Sequence, residues 1–155
     1  MLTQEPKRRG VTLLELLVVI TLMGILSSVV ITRFGRTLLG NFGSQADARR
    51  ISLDLLQANR RSITTGDNHF LQFSALSGKG MTYDLIRRAA GGDELFDSRT
   101  LSEDVTVTVS ATVMEFNFEG QALGAYVVDL QGDNRSWQLA VIPISGAVRV
   151  TETTP

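Results

Sequence analysis

Glu15 is the residue whose chemistry most needs an explanation. It places an ionisable carboxylate inside the apolar run Val11–Ile31, which is otherwise broken only by Thr12, Thr21, Gly24, Ser27 and Ser28. A charged side chain at the centre of a bilayer costs roughly 2.5–3.5 kcal/mol on insertion scales, so an acid here marks a functional position by default. It calls for a counter-charge. Just upstream stand Lys7-Arg8-Arg9-Gly10 and then Val11. A cut after Gly10 would free a cationic amine on Val11, and on a helix positions 11 and 15 share one face about 6 Å apart along the axis. In an assembly the amine could instead come from a neighbouring chain. Either charge buried alone is costly, whereas pairing offsets much of that cost and sets register between neighbours.

The elements that would position this acid follow from the run itself. A helix needs about 20 predominantly apolar residues to cross a bilayer, and Val11–Ile31 meets that length. The basic cluster before it predicts a cytoplasmic N-terminus, an asymmetry that Arg33 and Arg36 weaken without reversing. A cleaved secretory signal fits less well. Its apolar region runs about 7–15 residues and ends at a small-x-small site, whereas the best candidate here, Ala46-Asp47-Ala48, lies well past the run. A plain uncleaved anchor, with Glu15 snorkelling to the interface, is the simplest alternative.

Bulk composition narrows the remaining classes. The chain has 155 residues, 15 basic against 16 acidic, and no cysteine. Disulfides, thiol nucleophiles and cysteine-ligated zinc are therefore excluded. The balanced charge argues against nucleic-acid binding driven by bulk electrostatics, so no nucleic-acid partner is expected. His69 is the lone histidine, which rules out a histidine-based metal cluster within one chain. It follows a helix-ending glycine and reads as an exposed turn residue. No G-x-S-x-G or phosphate-binding glycine motif is present, and no catalytic residue, cofactor or metal is assigned. Asp93-Glu94 and Glu103-Asp104 read as solvated loops, and Asp129 with Asp133 as a hairpin turn lacking the dense oxygen ligands of a calcium site.

Beyond the span, Gly35, Gly40 and Gly43 make Phe34–Gly43 a candidate flexible or locally melted joint, since each helical glycine costs about 1 kcal/mol relative to alanine. From Ser44 to Thr65 the period is helical: Ala48, Ile51, Leu55, Leu56, Ala58 and Ile63 form one apolar face. Arg49, Arg50, Asp54, Gln57, Arg60 and Arg61 take the opposite arc, which reads as a solvated face rather than a polyanion stripe. Gly66 is the expected cap. The period then changes to two, giving candidate strands Phe70–Ser74, Met81–Arg87, Val105–Ser110, Val113–Phe118, Ala125–Leu130, Trp137–Ile142 and Ala147–Thr151. Met114, Phe116 and Phe118 alternate with Val113, Glu115 and Asn117. The expected fold is α+β: a long N-terminal helix, membrane-spanning then amphipathic, packed on a C-terminal antiparallel β-sheet or small β-sandwich.

The leader, Gly10, Val11, Glu15 and the apolar run together resemble the class III signal of type IV prepilins and type II secretion pseudopilins. The resemblance implies cleavage between Gly10 and Val11 by prepilin peptidase, N-methylation of Val11, and subunit assembly through Glu15. Val11 departs from the usual Phe or Met, and Thr32 stands where major pilins tend to carry Pro, which leans towards a minor subunit. The segment Ala48–Arg60 and the ending Ile144–Val150 resemble H-type minor pseudopilins and their T-type pilin relatives. The implied division is a leader at 1–10, an assembly helix at 11–32, a joint and amphipathic helix at 33–66, and a periplasmic β domain at 67–155. The implied partners are other pseudopilins or pilins in a filament, prepilin peptidase acting also as N-methyltransferase, and the inner membrane. A minor type IV pilin, or a membrane-tethered module with no assembly role, are the rival functions.

Overall fold

The computed structural model describes residues 12–153 and, across 32–42, the backbone alone. Leader residues 1–10 and Val11 lie outside the described residues. Among the described residues one helix, α1 (Leu13–Thr65), is followed by nine strands. The chain divides into two compact units, residues 1–36 and 37–155.

The division falls inside the glycine-rich stretch read as a joint, but the backbone there is helical throughout. Propagating a helix between two strong helical segments adds a hydrogen bond for every residue fixed, so isolated glycines weaken it without stopping it. Gly43 also has a packing reason. A Cβ there would sit 3.3 Å from Ser102 Oγ and 3.5 Å from Val105. The helix stops at Thr65, where Gly66 turns left-handed at φ 76° and its N–H is still bonded to Ser62 O at 3.0 Å. This is the cap the sequence predicts.

In the second unit the helix buries one face. Ala48, Ile51, Leu55 and Ala58 are core, as their spacing predicts. Leu56 is only half-buried and Ile63 is exposed, so these two leave the predicted apolar face. Asp54 moves the other way. It was expected on the solvated arc, yet it is buried, accepting a hydrogen bond from the Tyr83 hydroxyl at 2.6 Å with Arg99 Nε 3.7 Å away. Asp47 is buried too and accepts from the Ser102 N–H at 2.9 Å. A buried carboxylate persists only where donors meet it.

The strands form two antiparallel sheets, so the small sandwich is the form realised. One sheet has the order β4-β3-β1-β6, from β1 (Asn68–Phe73), β3 (Thr82–Ala89), β4 (Gly92–Thr100) and β6 (Val113–Phe116). The other runs β2-β5-β7-β8-β9, from β2 (Ser77–Lys79), β5 (Thr106–Val109), β7 (Tyr126–Gln131), β8 (Ser136–Val141) and β9 (Val148–Thr153). Leu71, Tyr83, Met114 and Phe116 from the first sheet and Val107, Val128, Leu130 and Leu139 from the second meet in one core. All seven predicted strands are present, within a few residues of their expected ends. β2 and β4 were not expected. β4 is an edge strand whose side chains are mostly exposed, so the alternation that identifies a half-buried strand is missing from its sequence. Asp93 and Glu94, read as loop acids, belong to β4 and pair with Arg88 and Arg87. Phe118 lies past the end of β6 and is exposed, although the alternation placed it with Met114 and Phe116.

Candidate assembly helix

The first turn of α1 is built around Thr12. Its Oγ1 accepts the Glu15 N–H at 3.2 Å, and its carbonyl accepts the Leu16 N–H at 3.1 Å. This is the N-cap half of a Thr-x-x-Glu capping box, and it sets the carboxylate of Glu15 in the first turn, where the helix dipole favours negative charge. Glu15 is exposed. The pairing of Val11 with Glu15 falls outside the described residues, as do Gly10 and the basic leader.

Downstream of Glu15 the helix is suited to lipid. Leu13–Ile31 has mean hydropathy 2.5, by length and composition enough to cross a membrane. Its large apolar side chains, from Leu13 to Ile31, are 46–82% exposed. Thr21 returns its hydroxyl to the carbonyls of Val18 and Leu17 at 2.8 and 3.0 Å, so its own donor is satisfied without water. An apolar surface of this extent on every side cannot be a resting state in water.

His69 departs furthest from expectation. It is 2% exposed rather than a solvated turn residue. Its Nδ1 lies 3.0 Å from Asp67 O, its ring stacks on Phe96 at 5.7 Å, and Nε2 has no partner among the described residues. Burial holds its pKa below the usual 6.5. The Asp67 carbonyl opposes that shift, while the charges of Arg61 and Arg87 add to it. The arrangement is a packed, neutral imidazole. Tyr83 is likewise pushed well above its usual 10, first by burial and then by the Asp54 carboxylate, so it remains a hydrogen-bond donor. Glu115, 93% buried on β6, is met by Asn68 Nδ2 and by Arg88 Nη1, each at 2.8 Å. The signal for Asp54 and Asp47 was present: Asp54 sits three residues after core Ile51 and four before Ala58, and Asp47 sits four before Ile51. Nothing local marked Glu115 as buried. Asp129 accepts from Gln138 across the β7–β8 hairpin, whose turn is closed by Gly132 N–H to Arg135 O at 2.9 Å. Among the described residues no His, Asp or Glu cluster could hold a metal ion.

An exposed apolar helix that runs on into a segment packed on two antiparallel sheets is a pilin-like α+β fold. Residues 6–31 match the prokaryotic N-terminal methylation motif, a stretch that contains Gly10, Val11 and Glu15. The fold is similar to that of the minor pseudopilin EpsH from the type 2 secretion system of Vibrio cholerae, with TM-score 0.60 and 13% identity over 70% of this chain and 96% of that one. It is similar also to the type IV minor pilin FimU of Pseudomonas aeruginosa, with TM-score 0.58 and 12% identity over 72% and 96%. No curated protein matches the chain in sequence.

Proposed function

We propose that this chain is a structural minor pseudopilin of a type II protein secretion system, of the H type. Before processing it sits in the inner membrane as a single-pass protein, with the N-terminus cytoplasmic and the β domain periplasmic. Prepilin peptidase cuts between Gly10 and Val11 and methylates the new amine. Glu15 then meets the Val11 amine of an adjacent subunit, and the apolar helices bundle to form the core of a short filament. The observation that carries this reading is Glu15, whose N–H is held by the Thr12 cap at the start of a helix whose large apolar side chains are exposed among the described residues. A subunit of this kind needs no catalytic group.

The reading is tested by Glu15→Ala and Glu15→Gln in the full chain. Both are expected to be processed normally yet to be absent from sheared or cross-linked filaments. Normal incorporation of either variant would refute the assembly role. A second reading, a minor type IV pilin, is favoured by the likeness to FimU, which stands level with that to EpsH. Co-purification with secretion rather than pilus components separates the two.

A further inference from the structure

The second half of α1 has two faces, and the fold uses only one. Around the helix, Ser44, Asp47, Ala48, Ile51, Asp54, Leu55, Ala58 and Ser62 are buried. At 100° per residue, Ala46, Arg49, Leu53, Leu56, Arg60 and Ile63 fall on the opposite side, within an arc of about 100°. Their spacing alternates three and four residues, the pattern by which one helix seats another. Leu53 is 64% exposed and Ile63 55% exposed.

The second sheet walls this stripe along part of its length. On one side, Trp137 and Val150 of the second sheet rise beside Arg49 and Leu53 around a hollow of about 570 Å³. Further along, Leu53, Leu56, Gln57 and Arg60 line another of about 410 Å³. The unpaired charges on the stripe are arginines: Asp54, which lines an adjoining hollow with Arg49 and Arg50, is turned to Tyr83, and Glu152, opposite Trp137 on β9, is held by Arg135. Arg49 and Arg60 are exposed and have no ion-pair partner among the described residues. Arg50 and Arg61 flank the stripe, Arg50 reaching Thr100 O at 3.5 Å and Arg61 lying over the Phe96 ring. Two arginines about 16 Å apart along the axis bracket two leucines.

We infer that this outward stripe is a docking seat for an acidic amphipathic helix of another protein, with apolar side chains set against Leu53 and Leu56 and carboxylates against Arg49 and Arg60. The leucines between the arginines favour a helix over a nucleic acid, because a phosphate backbone gains nothing from an apolar floor. The inference rests on the proposed function only in placing that helix on a neighbouring filament subunit.

The test uses the full chain in cells that make the complete system, with a photo-crosslinking amino acid in place of exposed Gln57, which borders the stripe. The cross-linked peptide is sequenced by mass spectrometry. The expected product is a segment whose acidic and apolar residues recur at helical spacing. Its yield should fall about tenfold or more in the double variant Arg49→Glu, Arg60→Glu, fall also in Leu53→Ala, and persist in Arg49→Lys, Arg60→Lys. Thermal unfolding of each purified variant in detergent, followed by far-UV circular dichroism, reports that it is folded. Cross-linking to DNA, to lipid or to a segment without acids overturns the inference, as does a yield indifferent to charge reversal, or no product. The mature N-terminus is read in the same samples. A chain that keeps its leader but still captures the acidic helix refutes the filament reading alone, whereas a processed chain that captures none refutes the seat alone.

Discussion

The two halves of α1 carry similar apolar residues and meet different fates. Leu13–Ile31 is apolar on every side, and its large side chains all remain exposed. Residues 44–65 are apolar mainly on one side, and the β sheets cover that side. A helix that is hydrophobic all round must be surrounded, whereas an amphipathic one needs only a single partner surface. The second half therefore carries the stability of the domain. In the proposed function the first half carries location and assembly, with Glu15 as the ionisable group that lipid alone does not satisfy.

Substitutions can break this contrast. Leu55→Ala opens a cavity in the domain core and is expected to cost about 2–5 kcal/mol, read by thermal or denaturant unfolding of the full chain in detergent. Leu22→Ala in the first half should leave that transition where it is, and a comparable loss there would void the division of labour. Next in size is Asp54→Ala, which strands the Tyr83 hydroxyl, while Arg99 keeps its closer partner Asp97 at 2.7 Å, at a cost of about 1–3 kcal/mol by the same measurement. Thr12→Ala should loosen the first turn by about 1 kcal/mol, seen as faster amide exchange at Glu15 and Leu16 with no change in domain unfolding.

The smallest effect sharpens the contrast through pH. The folded domain holds His69 below 6.5, whereas the unfolded chain takes up its proton near 6.5. The unfolded state then binds more protons as pH falls, so the His69 contribution is flat above about 6.5 and destabilising below it. Relative to His69→Gln, the native chain should lose stability more steeply between about pH 6.5 and the lower folded pKa. Parallel pH profiles for the two would show that the ring is not buried as described.

Much of this was legible in the residues because periodicity reports one-sided burial. The core face at Ala48, Ile51, Leu55 and Ala58 and the seven predicted strands all follow that rule. It fails where burial is decided elsewhere. Leu56 and Ile63 are apolar but point away from the sheets, and no local signal says how wide the covered face is. β4 escapes notice because an edge strand paired on one side buries little, and its charges look like a loop. His69 is buried because Phe96 of that unexpected strand stacks on it. Of the proposed assembly site, Glu15 stood out because an acid among aliphatic residues is anomalous in any environment. The Thr12 cap could also have been read, from the Thr-x-x-Glu spacing ahead of an apolar run.

Mass spectrometry of the N-terminal peptide from the protein isolated out of cells with an intact assembly system tests the central claim most directly. The account predicts a chain that begins at Val11 and carries one added methyl group on its amine. A mature protein that retains Met1–Gly10, or that begins at Val11 with an unmodified amine, would contradict it.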